Sequence, residues 1–215
     1  MTTMALNTVG GLAGQAIETY LQKAESYEKA VLKDRDPENL HQMRVNCRRL
    51  RTVMQVFAPS ITLPKTGQES QVAAIARILG SLRDLDVITE ILQKQYLPDL
   101  PETESQCMEV VFQYLASKRH KAYKRVKATL KGDRYDTLKA SLHAWVAQPV
   151  GNETTQLNIY SVLPDLTLPL VSHLWLHPGW LVGTKQTQGN FKPNTRLRLQ
   201  QVDGLVSDHS SALHS

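Results

Sequence analysis

The stretch from Pro37 to Phe57, PENLHQMRVNCRRLRTVMQVF, constrains this chain more than any other. It opens as a helix should, with Asp36 as N-cap, Pro37 at the first helical position and Glu38 in the first turn. Leu40, Met43, Cys47, Leu50, Met54 and Phe57 then recur at helical spacing and make one apolar stripe. His41, Arg44, Arg48 and Arg51 recur at the same spacing, one step out of phase. At about 100° per residue they form a second stripe, a quarter turn or more round the helix. One face must pack into a core, and its neighbour is a row of guanidinium groups that begins with a histidine. A planar guanidinium offers several donors at once to phosphate oxygens, so this row reads as an anion-binding wall. The alternative is a solvated, salt-bridged face. It is weakened because Glu38 is the one acid in the helix and partners for the arginines are missing.

The rest of the chain is also helical in pattern. From about Leu12 to Asp34 the expected buried face is Ala16, Tyr20, Ala24, Tyr27 and Val31, with Gly10, Gly11 and Gly14 loosening the start. Pro59 and Pro64 mark a loop after the Arg-rich helix. A third helix runs from roughly Gln68 to Gln95, with Val72, Ile75, Leu79 and Leu82 on its apolar side. Gly80 lies inside it at a cost of about 1 kcal/mol relative to Ala, which implies close approach of a helix or a ligand. Arg77, Gly80 and Asp84 share a face. Pro98 and Pro101 close a hairpin, and a long helix follows from about Glu102 to Leu130. Met108, Val111, Leu115, Ala122, Val126 and Leu130 carry its packing side. Its second half, KRHKAYKRVKATLK, contains no acid; like charges at these spacings repel, and an anion would relieve the penalty. Arg119 falls in phase with the apolar side and is expected to project inward between helices. After a short helix through Trp145, Gln148 to Asn152 is the expected internal boundary, dividing a bundle at 1–147 from a segment at 148–215. Beyond it, Ile159 to Leu176 is helical in character but interrupted by Pro164 and Pro169, and 183–194 reads as a polar loop. His173 and His177 read as local packing histidines. The fold class is all-α: antiparallel bundles of long helices with a basic groove.

Charge supports a polyanionic partner. Lys and Arg total 25 against 20 Asp and Glu, for a net charge of +5 over 215 residues. Cys47 and Cys107 sit at or beside apolar helical positions and read as reduced thiols rather than a disulfide or a metal site. The N-terminus is a poor signal peptide, and no apolar run reaches the length of a membrane span, so a soluble cytoplasmic protein without membrane contact is expected.

Two motifs resemble those of the conserved-histidine α-helical domain (CHAD) family. The first is H-x-x-R-V-x-x-R-R-L-R, carried by His41, Arg44, Val45, Arg48, Arg49, Leu50 and Arg51. The second is L-G-x-x-R-D-x-D-V, carried by Leu79, Gly80, Arg83, Asp84, Asp86 and Val87. The resemblance implies a helical module that binds inorganic polyphosphate. The implied binding set is His41, Arg44, Arg48, Arg49, Arg51, Arg83, Lys118, Arg119, Lys121, Lys124 and Arg125. Asp84 and Asp86 would hold arginines of the first motif in chosen rotamers. CHAD proteins usually have two related halves around a basic channel. Here the first half is complete, while the second stops at Ala212-Leu213-His214, where its basic helix is expected to begin. Two readings stay open: a homodimer that supplies the missing wall, or a truncated product.

The implied activity is non-catalytic polyphosphate binding, in the cytoplasm and at polyphosphate granules. Nucleic-acid or general polyanion binding is the alternative, disfavoured because Tyr123 is the one aromatic inside the basic clusters. No enzyme activity, cofactor or metal is expected. The chain has no G-x-x-x-x-G-K-S/T phosphate loop, and no carboxylate cluster is an obvious magnesium site.

Overall fold

The structure, a computed structural model, describes residues 7–181, 184–187 and 190–193. The Arg-rich stretch forms helix α3 (Pro37–Phe57), with the Asp36 side chain accepting a hydrogen bond from the Glu38 amide. All six residues of its apolar stripe are buried. Helix α1 (Val9–Ser26) and helix α4 (Glu69–Ile91) pack on α3. A single turn, α2 (Glu28–Val31), links α1 to the approach to α3. Helix α5 (Glu102–Leu130) packs on α4, and α6 (Asp133–Ala147) returns onto α1. The shared core is apolar: Ile17 and Leu21 from α1, Met43 and Leu50 from α3, Leu79 and Leu82 from α4, Val126 from α5 and Leu142 from α6.

Several expectations change. The buried face of α1 is Val9, Ala13, Ile17, Leu21 and Ala24, not the face led by Ala16 and Tyr20. Tyr20 and Tyr27 lie at its edge, half-buried. Gly10 and Gly14 belong to the buried face, and a Cβ at Gly14 would meet the Pro149 ring at 3.6 Å, an ordinary packing distance. The glycines thus lie in the packed face of a formed helix start, and Thr8 caps it by accepting from the Gly11 amide.

Gln148 to Asn152 does not divide the molecule. The chain forms two compact units, residues 1–166 and 167–215. Within the first, the loop after α3 is stitched to the chain after α6. Trp145 Nε1 donates to the Thr62 carbonyl at 2.9 Å, Asn152 to that of Pro59 at 2.8 Å, and Thr155 Oγ1 to that of Ser60 at 2.6 Å. A Cβ at Gly151 would collide with Thr155 Oγ1 and the Ser60 carbonyl, so only glycine fits this seam. Helix α7 (Ile159–Trp175) runs through Pro164 and Pro169, each of which removes one backbone hydrogen bond, and buries Ile159, Val162 and Leu166.

Within 183–194, read as loop, β1 (Thr184–Thr187) pairs antiparallel with β2 (Asn190–Pro193), Thr187 opposite Asn190. This hairpin is a minor addition to an all-α fold. His214 and the segment in which a second basic helix was sought lie outside the described residues.

One ion-pair cluster ties the long helices together. Arg119 on α5 donates through Nη1 and Nη2 to both carboxylate oxygens of Asp34, at 2.8 and 2.7 Å, and through Nε to Asp86 on α4 at 2.7 Å. Asp34 sits in the turn before α3 with φ of 51°, a left-handed conformation that Asp tolerates better than most residues. The expectation that Asp86 would hold arginines of α3 is corrected. It holds Arg119, because α4 presents that carboxylate toward α5. The hydrogen bond to Asp34 first, and then the pair with Asp86, raise the Arg119 pKa above its ordinary value. Cys47, buried in the core, has its thiol pKa pushed up to about 12 by burial and by Glu28, and it takes part in no disulfide.

Removing Arg119 strands the Asp86 carboxylate, whose side chain is 6% exposed. Arg119→Met is expected to lower the unfolding free energy by about 3 kcal/mol, the low end for a broken buried pair because Arg119 is itself 30% exposed. Lys118→Met, one residue away on the surface, is expected to change it by less than about 0.5 kcal/mol. Urea unfolding of both variants checks this, and equal effects would show that the cluster holds nothing.

Candidate functional site

The second stripe of α3 lines a cleft of about 640 Å³ between α3 and α4. From α3 come His41, Arg44, Val45, Arg48 and Arg51, and from α4 come Ala73, Ala76, Arg77, Gly80, Ser81 and Asp84. The cause is local. Burying the Leu40–Phe57 stripe leaves the row one step out of phase at the edge of the helix contact, facing the groove beside α4. On α4, Ala73, Ala76, Gly80 and Ser81 are short, so the groove stays open instead of filling with side chains. A smaller hollow of about 320 Å³ continues from it, lined by His41, Arg44, Arg83, Asp84, Val87 and Ile88. His41, Arg44 and Asp84 belong to both.

Gly80 explains the position of Arg44. A Cβ on residue 80 would lie 3.3 Å from Arg44 Nε, 3.8 Å from Nη2 and 3.9 Å from Cζ. The arginine therefore lies across bare α4 backbone, and the close approach inferred for Gly80 is that of a side chain from α3. Arg51 is anchored differently: its Nε donates to Glu69 at 2.6 Å, and Gln55 donates to the same oxygen. Glu69 was not foreseen as a partner because it lies on α4, outside the α3 sequence.

Among the described residues, Arg44, Arg48 and Arg77 have no ion-pair partner, and Asp84 is the one acid in the cleft lining. Cations gathered without counter-charge raise a positive potential that an anion would lower. In Arg83 the Nε is buried without a partner, so one donor of the second motif is left unused. No group of three or more His, Cys, Asp or Glu able to hold a metal ion occurs among the described residues. No helix among them is long and apolar enough to cross a membrane.

The expected binding residues separate into three groups. His41, Arg44, Arg48 and Arg51 come together in the cleft, and Arg83 lines its extension. Arg49 lies on the other side of α3, its guanidinium 5.9 Å from the centre of the Tyr20 ring on α1. Lys118, Lys121, Lys124 and Arg125 are exposed on α5 and are absent from the lining of both hollows, while Arg119 is held by Asp34 and Asp86. Arg119 is thus a correction. Its phase with the apolar side, which placed it between helices, also placed it within reach of buried carboxylates. Arg77 is the cation left out of the expected set; its place on the face of Gly80 and Asp84 was the signal that could have found it.

The CHAD domain family model matches residues 15–214. The crystal structure of the CHAD domain from the plant Ricinus communis matches with a TM-score of 0.52 and 24% identity, over 81% of this chain and 55% of that one. The chain therefore spans little more than half the length of that solved domain, and the likeness is one of fold. No curated protein matches.

Gly80→Ala separates stability from site geometry. Alanine favours the helix by about 1 kcal/mol, but its Cβ displaces Arg44. The expected outcome is an unchanged or higher melting temperature with weaker binding of a polyanion, checked by calorimetry and titration on the same sample. A large drop in melting temperature would mean that the backbone itself cannot accept a side chain there.

Proposed function

The chain belongs to the CHAD-domain family, and from that premise we propose that it binds inorganic polyphosphate, without catalysis, in the cleft between α3 and α4. One observation carries this reading: Arg44, Arg48 and Arg77 converge on an open groove with no ion-pair partner among the described residues. Polyphosphate is a flexible chain of phosphates without bases, so charge and donor geometry suffice to recognise it. Guanidinium forks on α3 and Arg77 on α4 would grip successive phosphates from two sides. His41 would add a donor at the end of the row. Arg83, with its unpartnered Nε, would serve the extension. The exposed Lys124 and Arg125 would hold a longer chain beyond the cleft. The proposed setting is the cytoplasm, at polyphosphate granules.

Nucleic acid is the less favoured ligand. No Phe, Tyr or Trp lines the cleft and His41 is its one aromatic ring, so a single strand would find little there on which to stack its bases.

Titration with long-chain polyphosphate, beside a DNA oligomer of equal charge and at two salt concentrations, tests the reading. Polyphosphate is expected to bind at least about tenfold tighter than DNA, with affinity falling steeply as salt rises. Arg48→Ala is expected to weaken binding about tenfold, the loss of one charge-assisted hydrogen bond, and Arg49→Ala much less. His41→Ala is expected to weaken binding by the loss of one donor at the end of the row. Equal affinity for DNA would make the protein a general polyanion binder. Equal losses at Arg48 and Arg49 would mean that binding follows diffuse charge rather than the cleft.

A further inference from the structure

The hairpin of α4 and α5 is packed at its base and bare at its tip. At the base, Leu79, Leu82, Val126 and Leu130 are buried. Toward the tip, Ile91, Tyr96, Val110 and Tyr114 are 36, 58, 69 and 60% exposed. The Arg119–Asp86 pair sets the register of these antiparallel helices and brings Ile91 near the level of Tyr114. Single exposed apolar residues are ordinary, whereas several on successive turns of two paired helices make an interaction surface.

Charge along α5 says what fits that surface. The tip half carries Glu102, Glu104 and Glu109 and no Lys or Arg, while the base half carries Lys118, Lys121, Lys124 and Arg125 among other cations and no acid. Glu102, Glu104, Lys118 and Lys121 have no ion-pair partner among the described residues; the Lys118 ammonium lies 5.0 Å from the centre of the Tyr114 ring. An acidic partner would complement only the base half, and a basic partner only the tip. A second copy of the same helix in antiparallel orientation complements both, because reversing α5 lays its acidic turns beside basic ones. A parallel copy would set acid against acid.

We propose that the exposed face of the α4–α5 hairpin binds a second copy of this chain, α5 against α5 and antiparallel, about a two-fold axis near Val110 and Tyr114. Such a contact is isologous: where a residue of one copy meets a second residue of the other, that second residue of the first copy meets the first of the other. Val110 and Tyr114, both exposed on α5, form its centre. Glu102 and Glu104 flank that centre opposite the partner's Lys118 and Lys121, which fixes the orientation. This inference does not depend on what the cleft between α3 and α4 binds.

Sedimentation equilibrium of the full chain tests it. A dimer is expected at micromolar concentration and low salt, with at least a tenfold loss of affinity at high salt. Val110→Asp is expected to give a monomer. Glu102→Lys with Glu104→Lys is expected to weaken the dimer at least tenfold, and adding Lys118→Glu and Lys121→Glu to the same chain to restore it, because all paired charges are then exchanged. All four positions and Val110 are on the surface, and circular dichroism matching the unaltered chain verifies each fold. Three results would overturn the proposal: a monomer at tens of micromolar in low salt, a dimer indifferent to Val110→Asp, or no restoration by the fourfold exchange in a folded variant.

Discussion

Burial of the apolar stripe on α3 sets the geometry of everything around it. Met43, Leu50 and Met54 are almost fully buried, and each such side chain removed from water contributes about 1.5–3 kcal/mol. A helix is rigid about its axis, so fixing one stripe fixes the other. His41, Arg44, Arg48 and Arg51 cannot turn toward the core or fully toward solvent while the stripe beside them stays packed. Their direction is a by-product of hydrophobic burial, and their reach is limited by what α4 places opposite. Ala73, Ala76 and Gly80 are small enough to leave the groove open. Core packing and site geometry therefore have one cause.

Arginine has two roles here, separated by the acids that surround it. Arg119 is enclosed by Asp34 and Asp86, and its donors point into the protein. It joins α5, α4 and the turn before α3. Arg51 is partly tethered by Glu69. Arg44, Arg48 and Arg77 lack such partners among the described residues, and Arg44 is oriented by shape, lying across Gly80. An arginine held by shape rather than by a carboxylate keeps its donors for a ligand. Like charge crowded along the cleft carries a repulsive cost that the packed helices absorb and that a bound anion would lower.

Packing is uneven along the molecule. The base of the α4–α5 hairpin shares the main core, whereas its tip carries apolar side chains in solvent. The joint at Arg119 lies between these regimes. Elements with few buried apolar contacts open more easily than the core, and the tip would gain stability from any surface that covered it. The segregated charge of α5 is the feature that makes a reversed copy of itself a match for that tip.

Periodicity determined a great deal. The limits of α3 and α5, the buried stripe of α3, the packed side of α4 and the cation row beside the core were all legible, because each depends on residues within a few turns of one another. The two motifs also carried the family. What only the tertiary structure decided depends on residues far apart in sequence. Asp86 faces Arg119 rather than α3, Glu69 takes Arg51, and Arg77 joins the cleft while Arg49 turns to Tyr20. The buried face of α1 was misplaced because small residues, Ala13 and Gly14 among them, are buried there yet carry little hydrophobic signal. The seam from Ser60 to Thr155 was invisible because it is made by backbone carbonyls, which every sequence has. Local pattern can say that a helix has a charged face. Which charges are neutralised within the fold and which are left for a ligand depends on the residues that the other helices bring opposite them.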